Sequence, residues 1–292
     1  MISVTNVDKV IKGRTILSDI SFEINAGECV ALIGPNGAGK TTLMSCLLGD
    51  KKVNKGDVLL DGQSPQTHSN KEKVAVLTQE NAIPADLKVK ELLHFFQSIY
   101  KDSLTSAQID RLLRFSSKQH NQLAGKLSGG QKRLLAFVLC LIGKPKILFL
   151  DEPTAGMDTS TRQRFWEIVH ELKLEGVTIF YTSHYIEEVE HTAERILVLH
   201  QGKLLRDTTP FAMRSEEQEK EVILPIGFAS VIEGLAAVTE VVYKQDIICF
   251  KTKEIETVWS RLQEAGCRIS DIEVHNKTLL NSVFDQTKEE EK

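Results

Sequence analysis

The sequence has no long hydrophobic run. The longest, Leu134 to Gly143, falls well short of the ~20 apolar residues that cross a bilayer, and it suits a buried helix. Its start, Met1-Ile2-Ser3-Val4-Thr5-Asn6, lacks the basic residues and apolar block of a signal peptide. Neither sign of charge dominates: 36 Lys and Arg face 40 Asp and Glu, for a net charge of −4, which gives no electrostatic reason to expect nucleic acid as a ligand. Cysteine is sparse. The five present (Cys29, Cys46, Cys140, Cys249 and Cys267) match no metal-binding spacing, and they read as reduced packing residues of a cytosolic protein. Internal repeats and low-complexity tracts are missing too. What is present is ordinary for a globular chain, with 41% hydrophobic and 26% charged residues. A length of 292 residues allows one large domain with a smaller one, or two of middling size.

The stretch that organises the rest is Gly34-Pro35-Asn36-Gly37-Ala38-Gly39-Lys40-Thr41-Thr42. It has the phosphate-loop spacing G-x-x-x-x-G-K-[ST]. It follows an apolar, strand-like run, Cys29 to Ile33, and precedes a helix-like segment, Leu43 to Leu48. The glycines let the backbone turn tightly enough to aim several N–H groups at one anion. The helix that starts there adds partial positive charge at the same point. Lys40 is expected to reach the β- and γ-phosphates, and Thr41 to offer its hydroxyl to Mg²⁺.

Around this loop the pattern alternates between strands and helices. Ile2–Val10 and Ile16–Ile24 alternate as an antiparallel pair. Further strands are expected at 55–60, 74–77, 147–150, 177–181, 196–199 and 203–206. Helices are expected from Val89 to about Phe115 with a second entrance at Ser106, from Ser128 to Ile142, from Thr161 to Lys173, and from Tyr185 to Ala193. Such alternation predicts an α/β fold with a mostly parallel core sheet, an N-terminal antiparallel β subdomain, and an α-helical subdomain at about 80–143. The charged stretch Arg214–Glu221 predicts a boundary, giving domains at 1–215 and 216–292. Beyond it the order is strand (222–226), helix (229–237), two strands (241–243, 247–250), helix (255–265), strand (268–274). That is a split β-α-β arrangement in a small α+β domain, followed by a helix from Leu279 to about Gln286 and a solvated tail.

Two further stretches carry chemistry. Asp151-Glu152 stands just past the apolar run Ile147–Leu150, where one carboxylate can hold Mg²⁺ through water and the next can polarise a water for in-line attack. The plainer reading is an acidic pair at a helix start. Leu127-Ser128-Gly129-Gly130-Gln131 reads by itself as a flexible turn with Ser128 capping a helix. Yet an exposed helix N-terminus with a hydroxyl is a second phosphate site, and the chain already has one. The economical solution is that this loop closes over a nucleotide held by a second copy.

With these stretches the sequence resembles the ATP-binding subunit of an ABC transporter: a phosphate loop at Gly34–Thr42, a glutamine loop at Gln79, a signature at Leu127–Gln131, Ile147–Glu152, a D-loop Ala155-Gly156-Met157-Asp158, and a histidine at His184, in family order. The resemblance covers about residues 1–210. It implies ATP and Mg²⁺ as cofactors, with Thr41, Gln79 and Asp151 toward the metal. It implies Glu152, His184, Gln79 and Lys40 as the catalytic set, Ser128 and Gly130 on the γ-phosphate in trans, and Asp158 joining two sites across a homodimer. Taken singly, Gln79 could be a strand-end polar residue, Asp158 a helix cap and His184 a loop histidine. The family usually stacks an aromatic side chain on adenine near position 11; here the aligned residue is Ile11, and Met157 replaces a commoner leucine, a swap of similar volume.

The short helical arm and the added C-terminal domain are most similar to the branch that exports drugs, antibiotics, polysaccharides or haem-like compounds. The implied partners are a second copy and a separately encoded transmembrane permease, with no nucleic acid, which puts the subunit peripherally at the cytoplasmic face of the membrane. Ile83-Pro84-Ala85-Asp86-Leu87 is the candidate docking patch. Residues 216–292 are expected to support the dimer or its gating. The alternatives are a soluble ABC-type ATPase without a membrane partner, and an importer subunit whose C-terminal domain senses ligand.

Overall fold

The computed structural model describes residues 1–80, 83–216 and 219–276, in two units, Met1–Thr209 and Pro210 onward, each with its own apolar core. In the first unit, alternating residues make β1 (Ile2–Ile11) and β2 (Arg14–Ile24) an antiparallel hairpin. Ile2, Val4 and Val7 bury one face of β1, and Leu17, Ile20, Phe22 and Ile24 one face of β2. The apolar β3 (Cys29–Ile33), buried throughout, leads through the glycine-rich loop into α1 (Lys40–Leu47). Next, β4 (Lys55–Leu60) pairs with the other side of β1, so the antiparallel sheet has the order β2-β1-β4. A helix with no apolar periodicity to announce it, α2 (His68–Lys73), precedes β5 (Val74–Leu77). It is pinned by the buried Asn70 amide, which donates to the carbonyls of Leu60 at 2.9 Å and Ser64 at 3.0 Å.

The helical segment follows as α3 (Val89–Ile99), α4 (Ser106–Leu113), α5 (Ser117–Asn121) and α6 (Gly129–Leu141). The pattern read from Val89 to Phe115 is therefore two helices. Thr105 starts α4 through a reciprocal cap with Gln108, and Ser116 starts α5 in the same way with Gln119. The chain then runs β6 (Ile147–Asp151), α7 (Thr159–Leu174), β7 (Thr178–Thr182), α8 (Ile186–Thr192), β8 (Arg195–His200) and β9 (Lys203–Thr208).

Six strands form the main sheet in the order β5-β6-β7-β3-β8-β9, parallel except where β9 turns back on β8. Its central strands are apolar without alternation because both faces are covered. The antiparallel sheet and α1 share a core with one face, through Ile20, Leu43, Phe149, Phe180 and Leu197. The Phe22 and Phe180 rings stack there at 6.2 Å. On α7, Trp166 meets Tyr181 of β7 at 5.1 Å, and Phe165 meets Phe137 of α6 at 4.3 Å. The parallel strands all end at one edge of the sheet, the edge at which open α/β folds bind ligands.

The second unit comprises α9 (Pro210–Glu216), β10 (Lys220–Pro225), α10 (Ala229–Ile232), β11 (Val238–Tyr243), β12 (Ile247–Thr252), α11 (Ile255–Glu264) and β13 (Glu273–Asn276). Its sheet is antiparallel in the order β11-β12-β10-β13, which is the split β-α-β arrangement, built over Val222, Leu224, Phe250, Val258 and Leu262. The helix read over 229–237 stops at Ile232, because Gly234 takes a φ of 83° and the Leu235 amide closes back on the Ile232 carbonyl. The strand read from Arg268 begins only at Glu273. Arg268 and Asp271 instead close a tight turn by an ion pair at 3.0 Å. The boundary read at 215–216 falls at the end of α9, and the helix read over 279–286 lies outside the described residues. Among the described residues, no helix is long and apolar enough to cross a membrane.

Because each unit holds a separate core, residues 1–209 are expected to fold alone. The fragment should be soluble, should unfold in one cooperative transition by calorimetry, and should retain ATP binding in a fluorescent-nucleotide titration.

Candidate active site

The loop between β3 and α1 is shaped by close approaches that only glycine allows. A Cβ on Gly34 would lie 2.2 Å from the Leu199 carbonyl oxygen. Gly39, with a φ of 108°, would place one 2.9 Å from the Leu17 side chain. Gly37 also takes a left-handed φ, 84°, which costs an L side chain what it does not cost glycine. Pro35, Asn36, Gly37 and Ala38 complete the turn, and Thr41 and Thr42 fall in the first turn of α1. Lys40 is buried, and its ammonium donates to the carbonyls of Gly34 at 2.7 Å and Pro35 at 3.1 Å, which uses two of its three donors. Burial lowers its pKa, while the charges of Glu152 and Asp151 act to raise it. The lysine and the carboxylate pair thus share one electrostatic site.

The carboxylate pair sits where β6 ends. The register puts Asp151 opposite Thr182 of β7, and the fully buried Thr182 hydroxyl joins both acidic residues. It donates to Asp151 Oδ1 at 2.6 Å and accepts from the Glu152 amide at 2.9 Å. The Glu152 carboxylate lies between the two residues expected near it, with Gln79 Nε2 3.4 Å from Oε2 and His184 Nδ1 3.3 Å from Oε1. Glu152 itself has a φ of 44°, a left-handed backbone that non-glycine residues adopt at a cost and that clusters at functional sites.

The signature residues form a second group. Ser128 caps α6, its hydroxyl oxygen accepting from the Gln131 amide at 3.2 Å while Gln131 Oε1 accepts from the Ser128 amide at 3.1 Å. The plainer reading of Ser128 as a cap is therefore correct as far as it goes. The hydroxyl proton is not used by the cap, so capping and phosphate contact are compatible. Leu127 and Gly130 are buried, while Ser128 and Gly129 are exposed. The loop packs on the D-loop of its own chain: a Cβ on Gly130 would lie 3.0 Å from Asp158 Oδ2. Asp158 caps α7, accepting from Ser160 Oγ at 2.6 Å, the Thr161 amide at 3.0 Å and Thr161 Oγ1 at 2.8 Å. The Ser160 hydroxyl, then the two Thr161 donors, hold its carboxyl well below the usual carboxylate range. Ile11, at the end of β1, is half-buried and paired with Arg14.

Two residues of this site carry no motif. One is Thr182, and the other is Arg133 of α6, whose buried guanidinium donates to main-chain carbonyls of both the glutamine loop and the turn after β6. Neither has a local signal. Thr182 reads as one more β-branched strand residue, and Arg133 as a helix surface charge. Only the sheet order brings them to Asp151 and Gln79. The oxygen donors of the site suit a hard divalent cation held jointly with phosphates: the Thr41 hydroxyl, the Gln79 amide and the Asp151 carboxylate. Among the described residues, no cluster of three or more acidic, His or Cys side chains could cage a metal.

A family model described as ABC transporter matches residues 17–155. The chain is similar to a Nod factor export ATP-binding protein I of Burkholderia lata, at 34% identity over 75% of this chain and 74% of that protein. It is similar to the protein of the same name from Burkholderia thailandensis, at 32% identity over 95% of this chain and 93% of that one. Its fold is similar to a dimeric structure of an ATP-binding cassette in a post-hydrolysis state bound to ADP and Pi, with a TM-score of 0.64 and 22% identity over 72% of this chain and 99% of that one.

Thr182→Val keeps the shape of the side chain but strands the Glu152 amide and one Asp151 oxygen. It is expected to cost about 1–3 kcal/mol of stability, read by denaturant titration, and to lower the rate of ATP hydrolysis while nucleotide affinity holds.

Proposed function

The chain belongs to the ABC transporter family as an ATP-binding, ATP-hydrolysing subunit, and we propose that two copies close head to tail around two ATP molecules to drive a separate membrane permease. One observation carries the catalytic assignment. The Glu152 carboxylate is held between Gln79 and His184, in the electrostatic neighbourhood of the phosphate-loop lysine.

The steps follow from those positions. The loop amides and Lys40 bind the β- and γ-phosphates and neutralise charge that grows as the terminal bond breaks. Glu152 orients a water and takes its proton as the oxygen attacks the γ-phosphorus in line. The bond from that phosphorus to the bridging oxygen breaks, leaving ADP and phosphate. Gln79 and His184 keep the carboxylate aimed, since each has a nitrogen within reach of one of its oxygens. Mg²⁺, held with ATP by Thr41, Gln79 and Asp151, would supply charge neutralisation at the β- and γ-oxygens. Ser128 and Gly130 of the second copy complete the γ-phosphate shell, a reading supported by the exposure of Ser128 and by the packing of Gly130 on the D-loop of its own chain. Asp158 lies at that junction and links the two sites. Ile11 offers adenine apolar contact in place of stacking.

An exporter role is supported by the names of the relatives, one of which is matched along 95% of this chain, the second unit included. The permease would anchor the subunit peripherally at the cytoplasmic face of the membrane. Two features support a docking surface on the helical segment. The loop Ile83–Leu87 is tied to the residues before the signature by the Gly125 amide on the Ala85 carbonyl and the Ala124 amide on the Leu87 carbonyl, at 3.0 and 2.8 Å. On α3, Phe95 and Ile99, spaced to share a face, are 58% and 56% exposed. In the second unit, Val242 and Tyr243 are also exposed on β11, which supports a role for residues 216–292 at a dimer or gating interface.

Glu152→Gln is expected to bind ATP normally, to hydrolyse it roughly 10²–10⁴-fold more slowly, and to run as a dimer with ATP in size-exclusion chromatography. Near-normal turnover would refute the assignment. Ser128→Arg should abolish hydrolysis yet leave ATP binding by the monomer intact; simultaneous loss of binding in a titration would mean that the signature loop acts in cis.

A further inference from the structure

β5 and β6 run side by side as a parallel pair, and their register ends at Leu77 opposite Leu150. The next residues along each strand are Thr78 and Gln79 on one side and Asp151 and Glu152 on the other, the residues that must be held in register for hydrolysis. The β5–β6 register does not extend to these four residues, although Asp151 still pairs with Thr182 of β7. Their carbonyls can still take donors from elsewhere in the fold.

A single guanidinium supplies those donors. Arg133 is 8% exposed, and its fork reaches across both segments. Nη1 donates to the carbonyl of Thr78 and, at 3.0 Å, to that of Gln79. Nη2 donates to Asp151 at 2.9 Å and Glu152 at 3.2 Å. Nε donates to Pro153 at 3.0 Å. All these acceptors are main-chain carbonyls. Arg133 therefore acts as a side-chain rung that continues the β5–β6 pairing past the point where the strands part. The planar, rigid fork of arginine is what allows one side chain to serve two segments at once; a lysine presents its donors from one point and cannot span them in the same way.

We propose that Arg133 is a positioning residue for ATP hydrolysis: it fixes the glutamine loop and the turn after β6 as one body, so that Gln79 and Glu152 keep the spacing the reaction needs. Its donors go to main-chain carbonyls. It acts through the backbone of Gln79 and Glu152. It also accounts for the left-handed Glu152, whose carbonyl takes bonds from Arg133 and from the Ala155 amide at 3.2 Å while its amide is held by Thr182. Movement of the glutamine loop, the segment next to the candidate docking loop, would then reach Glu152 through this side chain as well as through the Gln79 amide.

The proposal rests on the reading of Glu152 as the residue that orients water. The full-length chain is tested as Arg133→Lys and Arg133→Gln, each alone and each combined with Gln79→Ala, at a temperature below the unfolding transition of every variant. Both single variants should lose kcat by on the order of 10–100-fold, the scale for a misplaced reacting group, with KM for ATP and fluorescent-nucleotide affinity within about twofold of the parent. The combined variants should be no slower than the slower single variant, because Arg133 and Gln79 act along one line. Arg133→Lys with parental kcat would overturn the proposal. So would fully multiplicative losses in the double variants, or a rise in KM that matches the fall in kcat. Failure of the underlying reading has its own signature: Glu152→Gln, measured alongside, would then retain turnover whatever happens at Arg133.

Discussion

A parallel sheet that stops leaves main-chain groups without partners along its edge, and the way this chain satisfies them accounts for most of its chemistry. After β3, the Gly34 and Pro35 carbonyls of a glycine-rich turn are taken by Lys40, which leaves the turn's amides for the proposed phosphate contact. After β6, a buried threonine from the next strand holds the Glu152 amide. After β5 and β6 together, Arg133 holds the carbonyls. The same edge that would be a liability in an isolated sheet becomes a set of fixed donors and acceptors around one point.

The arrangement also explains how Glu152 tolerates its backbone. A left-handed residue of this kind costs on the order of 1–3 kcal/mol and persists where the surroundings over-determine it. Here the amide, the carbonyl and both carboxylate oxygens each have a partner. The strain turns the side chain out of the line of the strand and toward Gln79 and His184. A second network ties the neighbouring segments together: Arg162 of α7 pairs with Glu188 of α8 at 3.1 Å, and Thr154 donates to the other Glu188 oxygen at 2.8 Å. The D-loop helix, the turn after Glu152 and the helix after His184 are thus linked by side chains as well as by the sheet.

Much of this was legible in the sequence because it is local. The phosphate-loop spacing, the apolar strands before it and before Asp151, and the alternation of β1 and β2 each depend on a few neighbouring residues. Element ends were less legible, for reasons visible at particular residues. Gly234 ends a helix that the apolar pattern would have continued, and the Arg268–Asp271 pair folds a turn out of an extended-looking stretch. Helix α2 had no periodic signal at all, since it is held by one buried asparagine contacting residues before it. At the site, Gln79, Glu152 and His184 were named by motif, yet Thr182 and Arg133 were not. Their importance arises from strand order, which brings Asp151 opposite Thr182 and lays Arg133 over the ends of β5 and β6, and no window along the chain reports it.

The close approach of Gly34 to the Leu199 carbonyl has a consequence for how the protein is made. The Gly202 amide bonds the Ala38 carbonyl at 3.0 Å, and the Gly202 carbonyl in turn accepts from the Ser18 amide at 2.8 Å. The nucleotide cradle, though translated early, is therefore moulded against a hairpin translated far later. A nascent chain still inside the ribosome at that hairpin has the cradle's sequence without its mould, so capture of ATP belongs to the last stage of synthesis of this unit rather than the first.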